Sequence, residues 1–269
     1  MNIQPHDFRY PLTNDNPPPI PSWRRRRAEA YARSPVVKRP ASRSRFVRFS
    51  GAAPGDHVLD VGTGPGFSAF PFARRSQRVT GLDWRPELLE VARREAARRR
   101  INNVTFVEAA PSALPFPDGS FDLVVSAAAL HHFGDPEGVL SEMARVCRDG
   151  GSLALEDVLA SEQAIRARYH NRIERLRDRS HQRLLALSEI VAFIGKAGLI
   201  VSRVEVLGSL REFNEWIAVT RPPFRRAEHI RRLLQGSVEQ DLSGLAVQPD
   251  DDSFVFLQQV AWIRAEKPE

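Results

Sequence analysis

Residues 58–67 constrain this chain more than any other stretch. The run His57–Val61 is apolar enough to read as a buried strand. It breaks at Gly62, Gly64 and Gly66, and an apolar helical pattern follows. A strand that ends in a glycine turn at a helix N-terminus makes a binding loop. Without a Cβ, the backbone can bend tightly and come close to a ligand. Asp60 falls at the carboxyl end of the strand, where open α/β sheets bind their ligands.

Two ligand classes compete for such a loop. A dinucleotide site wants G-x-G-x-x-G/A and an acid roughly 20 residues later. Gly64, Gly66 and Ala69 fit that loosely, with Asp83 as the acid. The second template is Asp-x-Gly-x-Gly-x-Gly, which Asp60, Gly62, Gly64 and Gly66 fit without slack; it resembles motif I of the class I S-adenosylmethionine (SAM) methyltransferases. An acid before the first glycine suits the amino and sulfonium groups of SAM. It suits a pyrophosphate poorly, because like charges repel.

At 269 residues, 42% of them hydrophobic, the chain can bury one α/β core. The net charge of +6 is unevenly placed. Residues 1–50 hold 11 Lys/Arg against 3 Asp/Glu, and the rest holds 28 against 30. The basic excess therefore sits in an N-terminal arm, and the body gives no sign of nucleic-acid binding. The single cysteine, Cys147, allows no intramolecular disulfide and points to a reducing compartment. With no apolar run near ~18 residues and no secretory h-region, a cytoplasmic protein without a membrane span is expected. Seven scattered histidines and one cysteine suggest no metal centre.

Residues 1–22 are rich in Pro, Asn and Asp and read as a loosely draped arm. Arg24–Arg27 follow. They read as a solvated run opening a short helix, against the alternatives of an anionic-surface contact or a transit sequence. Ala28 and Tyr31 look like a stretch that many of these methyltransferases place over SAM.

Beyond the loop, Phe67–Arg74 reads as a helix, Arg78–Asp83 as a strand ending in an acid, and Glu87–Arg100 as an amphipathic helix behind Pro86. Val104–Glu108 is a third strand. Leu114, Pro115, Phe116, Asp118, Ser120, Phe121 and Asp122, then Leu130, His131 and His132, and finally Arg145 to Gly151 resemble the ubiquinone/menaquinone-biosynthesis type of methyltransferase. The resemblance is strong over residues 55–157 and loose beyond. Later segments remain unexplained by the dinucleotide alternative.

The resemblance implies a three-layer α/β sandwich. Its sheet is Rossmann-like, seven-stranded and mostly parallel, with helical lid insertions. The arm, residues 1–45, precedes a methyltransferase domain, 46–269, with insertions at about 158–187 and 209–252. Asp60, Gly62, Thr63, Gly64 and Gly66 hold the methionine part of SAM. Asp83 accepts from the ribose hydroxyls. Trp84, Ala110, Pro111 and Ser126 complete the cofactor site. Relatives carry an acceptor and an N–H at the adenine position, whereas Ala110 lacks the acceptor and Pro111 the N–H. Weak SAM binding is expected from that departure.

His131 and His132 follow the fourth strand on the substrate side. His131 is the candidate base, since histidine titrates near neutral pH, with pocket lining as its alternative role. Tyr169, His170 and His181 are candidate lid contacts to the acceptor, and most charges of the helical stretch 161–183 read as a solvated face. The implied reaction is in-line methyl transfer from SAM to a small-molecule acceptor, on oxygen, carbon or nitrogen. A SAM-fold protein with lost or different chemistry is the other reading.

Overall fold

The structure is a computed structural model that describes residues 20–34 and 40–269. Its parallel strands are β1 (His57–Val61), β2 (Arg78–Asp83), β3 (Val104–Glu108), β4 (Phe121–Ala127) and β5 (Cys147–Val158). Beyond them lie β6 (Ile200–Glu212), β7 (Gln248–Asp250) and β8 (Ser253–Glu266). The sheet runs β3-β2-β1-β4-β5-β8-β6, with β8 antiparallel to both neighbours. β1 is buried along almost its whole length because helices cover both faces of the sheet, and it therefore reads as a continuous apolar run.

The sheet has eight strands rather than the expected seven. The extra one, β7, lies inside the span assigned to a lid insertion. Asp250 pairs with Ser253 across the two-residue turn Asp251–Asp252, with Asp251 at φ +48°, so a tight hairpin closes at the end of an insertion expected to be helical.

The described helices are α1 (Ser22–Arg33), α2 (Pro40–Ser50), α3 (Ala69–Ala73), α4 (Pro86–Arg98), α5 (Pro136–Val146), α6 (Ala164–Arg177), α7 (Leu187–Lys196), α8 (Phe213–Thr220) and α9 (Phe224–Gln235). α4 starts at Pro86, whose fixed φ suits a first turn. It buries Leu88, Leu89 and Val91, each worth about 1.5–3 kcal/mol.

α5 and α7 pack on one face of the sheet through Leu140, Met143, Ile190 and Ile194. On the other face, Phe46 and Phe49 of α2 stack around Trp262 of β8, with centroids at 5.7 and 5.5 Å. α1 docks outside α4. Its Ala28 and Ala32 are buried with Leu88 and Val91, and Arg94 pairs with Glu29 at 2.9 Å. Over residues 22–33 the chain is a packed helix whose first turns carry the exposed Arg24–Arg27, in keeping with the reading of a solvated run that opens a short helix. The Pro-rich residues 1–19 lie outside the described residues.

β6 and β8 run on past the end of β5, which stops pairing at Val158 opposite Val260. Their extended hairpin carries α6, α8 and α9 on a second core of Ile173, Trp216, Ile230, Leu234 and Phe256. This cap stands over the carboxyl ends of the parallel strands. The helix expected over 161–183 stops at Arg177. There the Asp178 carboxylate accepts the Ser180 N–H at 2.8 Å, a local turn that competes with further helix.

Candidate functional site

Strand order reverses between β1 and β4, and the glycine loop leaves β1 at that switch point. Gly62, Gly64 and Gly66 have φ of +76°, +55° and +83°. A Cβ on Gly62 would sit 2.5 Å from the Ala129 Cβ, in the loop after β4, so glycine is needed for both its conformation and its space. The loop is tied down by Gly62 and Thr63 N–H donating to the Leu82 carbonyl at 2.8 and 2.9 Å.

Two carboxylates frame this loop. Asp60 is fully buried; its Oδ2 accepts from the Ser68 hydroxyl at 2.5 Å, and Oδ1 closes no hydrogen bond, although the nearby Thr63 hydroxyl helps hold its pKa down. Burial outweighs these contacts and pushes the Asp60 carboxyl up. A buried acceptor without a partner is costly, so this oxygen fits a cationic ligand group. Asp83 accepts the Gly64 N–H on Oδ2 and the Arg85 N–H on Oδ1, each at 2.9 Å. Its pKa too is raised by burial, against the charge of Arg85. Each oxygen keeps a second lone pair, which fits a pair of ribose hydroxyls.

Gly62, Thr63, Gly64 and Asp83 wall a cavity of about 470 Å³, its open mouth included, with Trp84 and Tyr31 also in its lining. Trp84 is braced edge-on by Phe133 at 5.7 Å. Five expected residues do not line it, Asp60 being wholly buried beside the loop. Ser126 donates inward to the Val61 carbonyl at 2.9 Å, and Gly66 is packed against Phe70. Ala110 is half-buried and Pro111 buried, both in the turn after β3.

A larger cavity, about 880 Å³ with its open mouth included, lies beneath the cap. It shares Tyr31, Arg43, Ala128 and His132 with the first. Ala128 has φ +54°, a conformation costing a non-glycine residue roughly 1–2 kcal/mol, and it places backbone at the junction.

His131 and Asp157 form a dyad in this cavity. The ring Nδ1 lies 2.5 Å from Asp157 Oδ1, and the His131 N–H donates to Oδ2 at 3.1 Å. Burial alone would lower the imidazole pKa, but the Asp157 charge and hydrogen bond overcome it and raise it. The His131 charge and its ring and backbone hydrogen bonds overcome burial in turn, and hold the Asp157 carboxyl below the usual range. An anionic Asp157 fixes the proton on Nδ1 and leaves Nε2 as the basic atom.

His132 stands beside it with ring centroids 4.2 Å apart. Its Nδ1 meets the Ser180 carbonyl at 3.0 Å. A carbonyl only accepts, so Nδ1 carries the proton. Burial and the neighbouring His131 charge drop its pKa to about 3, keeping it neutral.

Tyr169, His170 and His181 do not line the cavity, in contrast to the lid contacts expected of them. Tyr169 donates to the Leu233 carbonyl at 2.8 Å and ties α6 to α9. His170 is buried 3.6 Å from Glu174. His181 is buried against Asn171 Oδ1 at 2.9 Å, and burial drops its pKa to about 4. Asp157, Arg211 and Gln258 line the cavity and were missed from sequence. Asp157 carried a usable signal, being a strand-end acid like Asp60 and Asp83.

Among the described residues no group of three or more His, Cys, Asp or Glu could hold a metal, and no helix is long and apolar enough to cross a membrane.

A parallel sheet with a glycine-loop cavity at its switch point and a capped cavity sharing its wall is the architecture of a class I group-transfer enzyme. Residues 59–155 match the family model described as a methyltransferase domain. A Bacillus subtilis (strain 168) protein described as the uncharacterized methyltransferase YcgJ is 34% identical over 173 residues, 64% of this chain and 68% of that protein. The crystal structure of a Bacillus subtilis YcgJ protein matches with a TM-score of 0.81 at 28% identity, over 85% of this chain and 99% of that one. A demethylmenaquinone methyltransferase of Renibacterium salmoninarum is 37% identical over 107 residues, 40% of this chain and 43% of that protein. The chain belongs to this family of SAM-dependent methyltransferases, which removes the dinucleotide alternative.

Proposed function

We propose that the smaller cavity holds SAM and that the larger one holds a small-molecule methyl acceptor, with His131 as general base. When bound, SAM supplies an electrophilic methyl group on a positively charged sulfur. The glycine loop faces its methionine part with Asp60 buried beside it, and Asp83 faces its ribose. Ala110 and Pro111 offer the adenine no polar contact, so SAM is held with modest affinity.

In the larger cavity, His131 Nε2 receives the proton from the acceptor's nucleophilic atom while Asp157 stabilises the imidazolium. Neutral His132, at the junction, presents Nε2 as a hydrogen-bond acceptor that orients the same group. The cap excludes water from the reacting atoms. The observation that carries this reading is the His131–Asp157 pair at 2.5 Å in a cavity that shares walls with the glycine-loop cavity. A capped cavity of this size favours a small molecule over a nucleic acid. A reducing compartment such as the cytoplasm suits the lone buried Cys147, whose thiol burial pushes up to about 11.

Incubation of the protein with SAM and a small-metabolite extract, read by mass spectrometry, should yield S-adenosylhomocysteine (SAH) and a product heavier by one methylene. His131→Ala should slow that turnover about 10²–10⁴-fold with SAH affinity unchanged. A fully active His131→Ala would remove the base from this account.

A further inference from the structure

Two pairs of charges that line the larger cavity are spent on one another, and the buried Glu156 lines it as well. Glu174 takes Arg177 Nε on Oε2 at 2.8 Å, and Asp157 takes His131. Arg211 is different. Its guanidinium forms no ion pair among the described residues, and its hydrogen bond runs from Nε to Gln258 Oε1 at 2.9 Å. Gln258 is 2% exposed and donates Nε2 to Glu174 Oε1 at 3.0 Å. Chemistry fixes that amide's direction: a carboxylate only accepts and a guanidinium only donates. Arg177, Glu174, Gln258 and Arg211 therefore form one oriented chain, buried at Glu174 and Gln258, which ends in a guanidinium lining the cavity.

Held by Nε, a guanidinium has two terminal nitrogens left. They form a planar fork that matches a carboxylate or phosphate in geometry as well as charge. A neutral acceptor seated there would give those two nitrogens no ion pair, whereas a carboxylate or phosphate would. Trp216, Val219, Val260 and Leu184 supply apolar walls beside it.

On the reading that this cavity holds the acceptor, we infer that the acceptor is an organic anion, an apolar body bearing a carboxylate or phosphate that docks on Arg211. Gln258 is the positioning residue for that guanidinium.

The full-length protein, saturated with SAH, is titrated by calorimetry with 4-hydroxybenzoate, phenyl phosphate and the neutral 4-hydroxybenzamide. At least one anion should bind about tenfold to a hundredfold more tightly than the amide, and which one does so identifies the anionic group. Arg211→Gln should abolish the preference and Arg211→Lys should keep part of it. Gln258→Leu should weaken it although the arginine remains. SAH affinity of each variant reports that the fold and donor cavity are intact. Equal binding of anions and amide, or a preference that survives Arg211→Gln, overturns the inference and leaves the methyl-transfer reading standing. An Arg211-dependent preference in a protein that does not bind SAH would instead count against the donor cavity.

Discussion

Replacing Asp157 by Asn removes one charge and almost no volume from the dyad. Asp157 is 4% exposed and bonds the His131 ring at 2.5 Å. A hydrogen bond to a charged group is worth about 1.5–3 kcal/mol net. At 1.36 kcal/mol per tenfold change in proton affinity, the imidazole pKa should drop by about one to two. Direction follows from the opposing causes: burial lowers the His131 pKa and Asp157 raises it past 6.5. With Asn only the weaker charge of Glu174 still opposes burial and Arg177, so the ring should titrate below its ordinary value. Two-dimensional ¹H–¹³C NMR of histidine-labelled protein can follow this without any acceptor, with His131→Gln supplying the assignment. The base must be neutral to work. Wild-type activity should therefore rise with pH above 6.5, and Asp157→Asn should move that rise to lower pH while cutting the plateau about 10²–10⁴-fold. If the His131 resonance titrates at the same pH in both proteins, the dyad does not tune this histidine.

Gly62→Ala should lower stability by about 2–5 kcal/mol, combining the left-handed backbone cost with overpacking against Ala129; chemical denaturation checks this, and a loss below about 1 kcal/mol would mean the loop relaxes freely. His181 should make the protein acid-sensitive. Its folded pKa of about 4 lies below the ordinary 6.5, so stability is full above 6.5. As the pH falls from 6.5 to about 4 the unfolded chain alone takes the proton, at a loss of about 3 kcal/mol. Melting curves of His181→Gln should depend less steeply on pH over that window, and parallel curves would contradict the assignment.

The strands and loops that carry the glycine-loop cavity were legible because their signals are local. A doubly covered parallel strand must be apolar throughout, and a left-handed turn against a neighbouring loop must be glycine, so β1 and Gly62 follow directly from residue type. Strand-end acids were legible for the same reason at Asp60 and Asp83. The cap was not. Residues 161–183 carry charges that read as a solvated face, yet Glu174 and Asn171 are buried and satisfied by partners distant in sequence or beyond the helix end. Arg211 meets Gln258 only because β6 and β8 pair as one long hairpin, and no local pattern marks that pairing. His131 stood out by its position after β4, but its hydrogen-bond partner Asp157 lies 26 residues away. Tyr169, His170 and His181 lie outside the cavity lining, because polarity on a helix does not say whether the group faces a cavity or a neighbouring helix.

Calorimetric titration of SAH into the wild-type protein and Asp83→Ala bears most directly on the donor cavity. Asp83 is buried at the strand end and has lone pairs left on both oxygens after bonding Gly64 and Arg85 at 2.9 Å. SAH should bind the wild type, and Asp83→Ala should weaken it at least about tenfold through the lost charge-assisted hydrogen bonds, with the variant still folded by circular dichroism. A folded Asp83→Ala that binds SAH as tightly as the wild type would contradict the placement of the ribose. A wild type that binds no SAH would contradict the donor cavity itself.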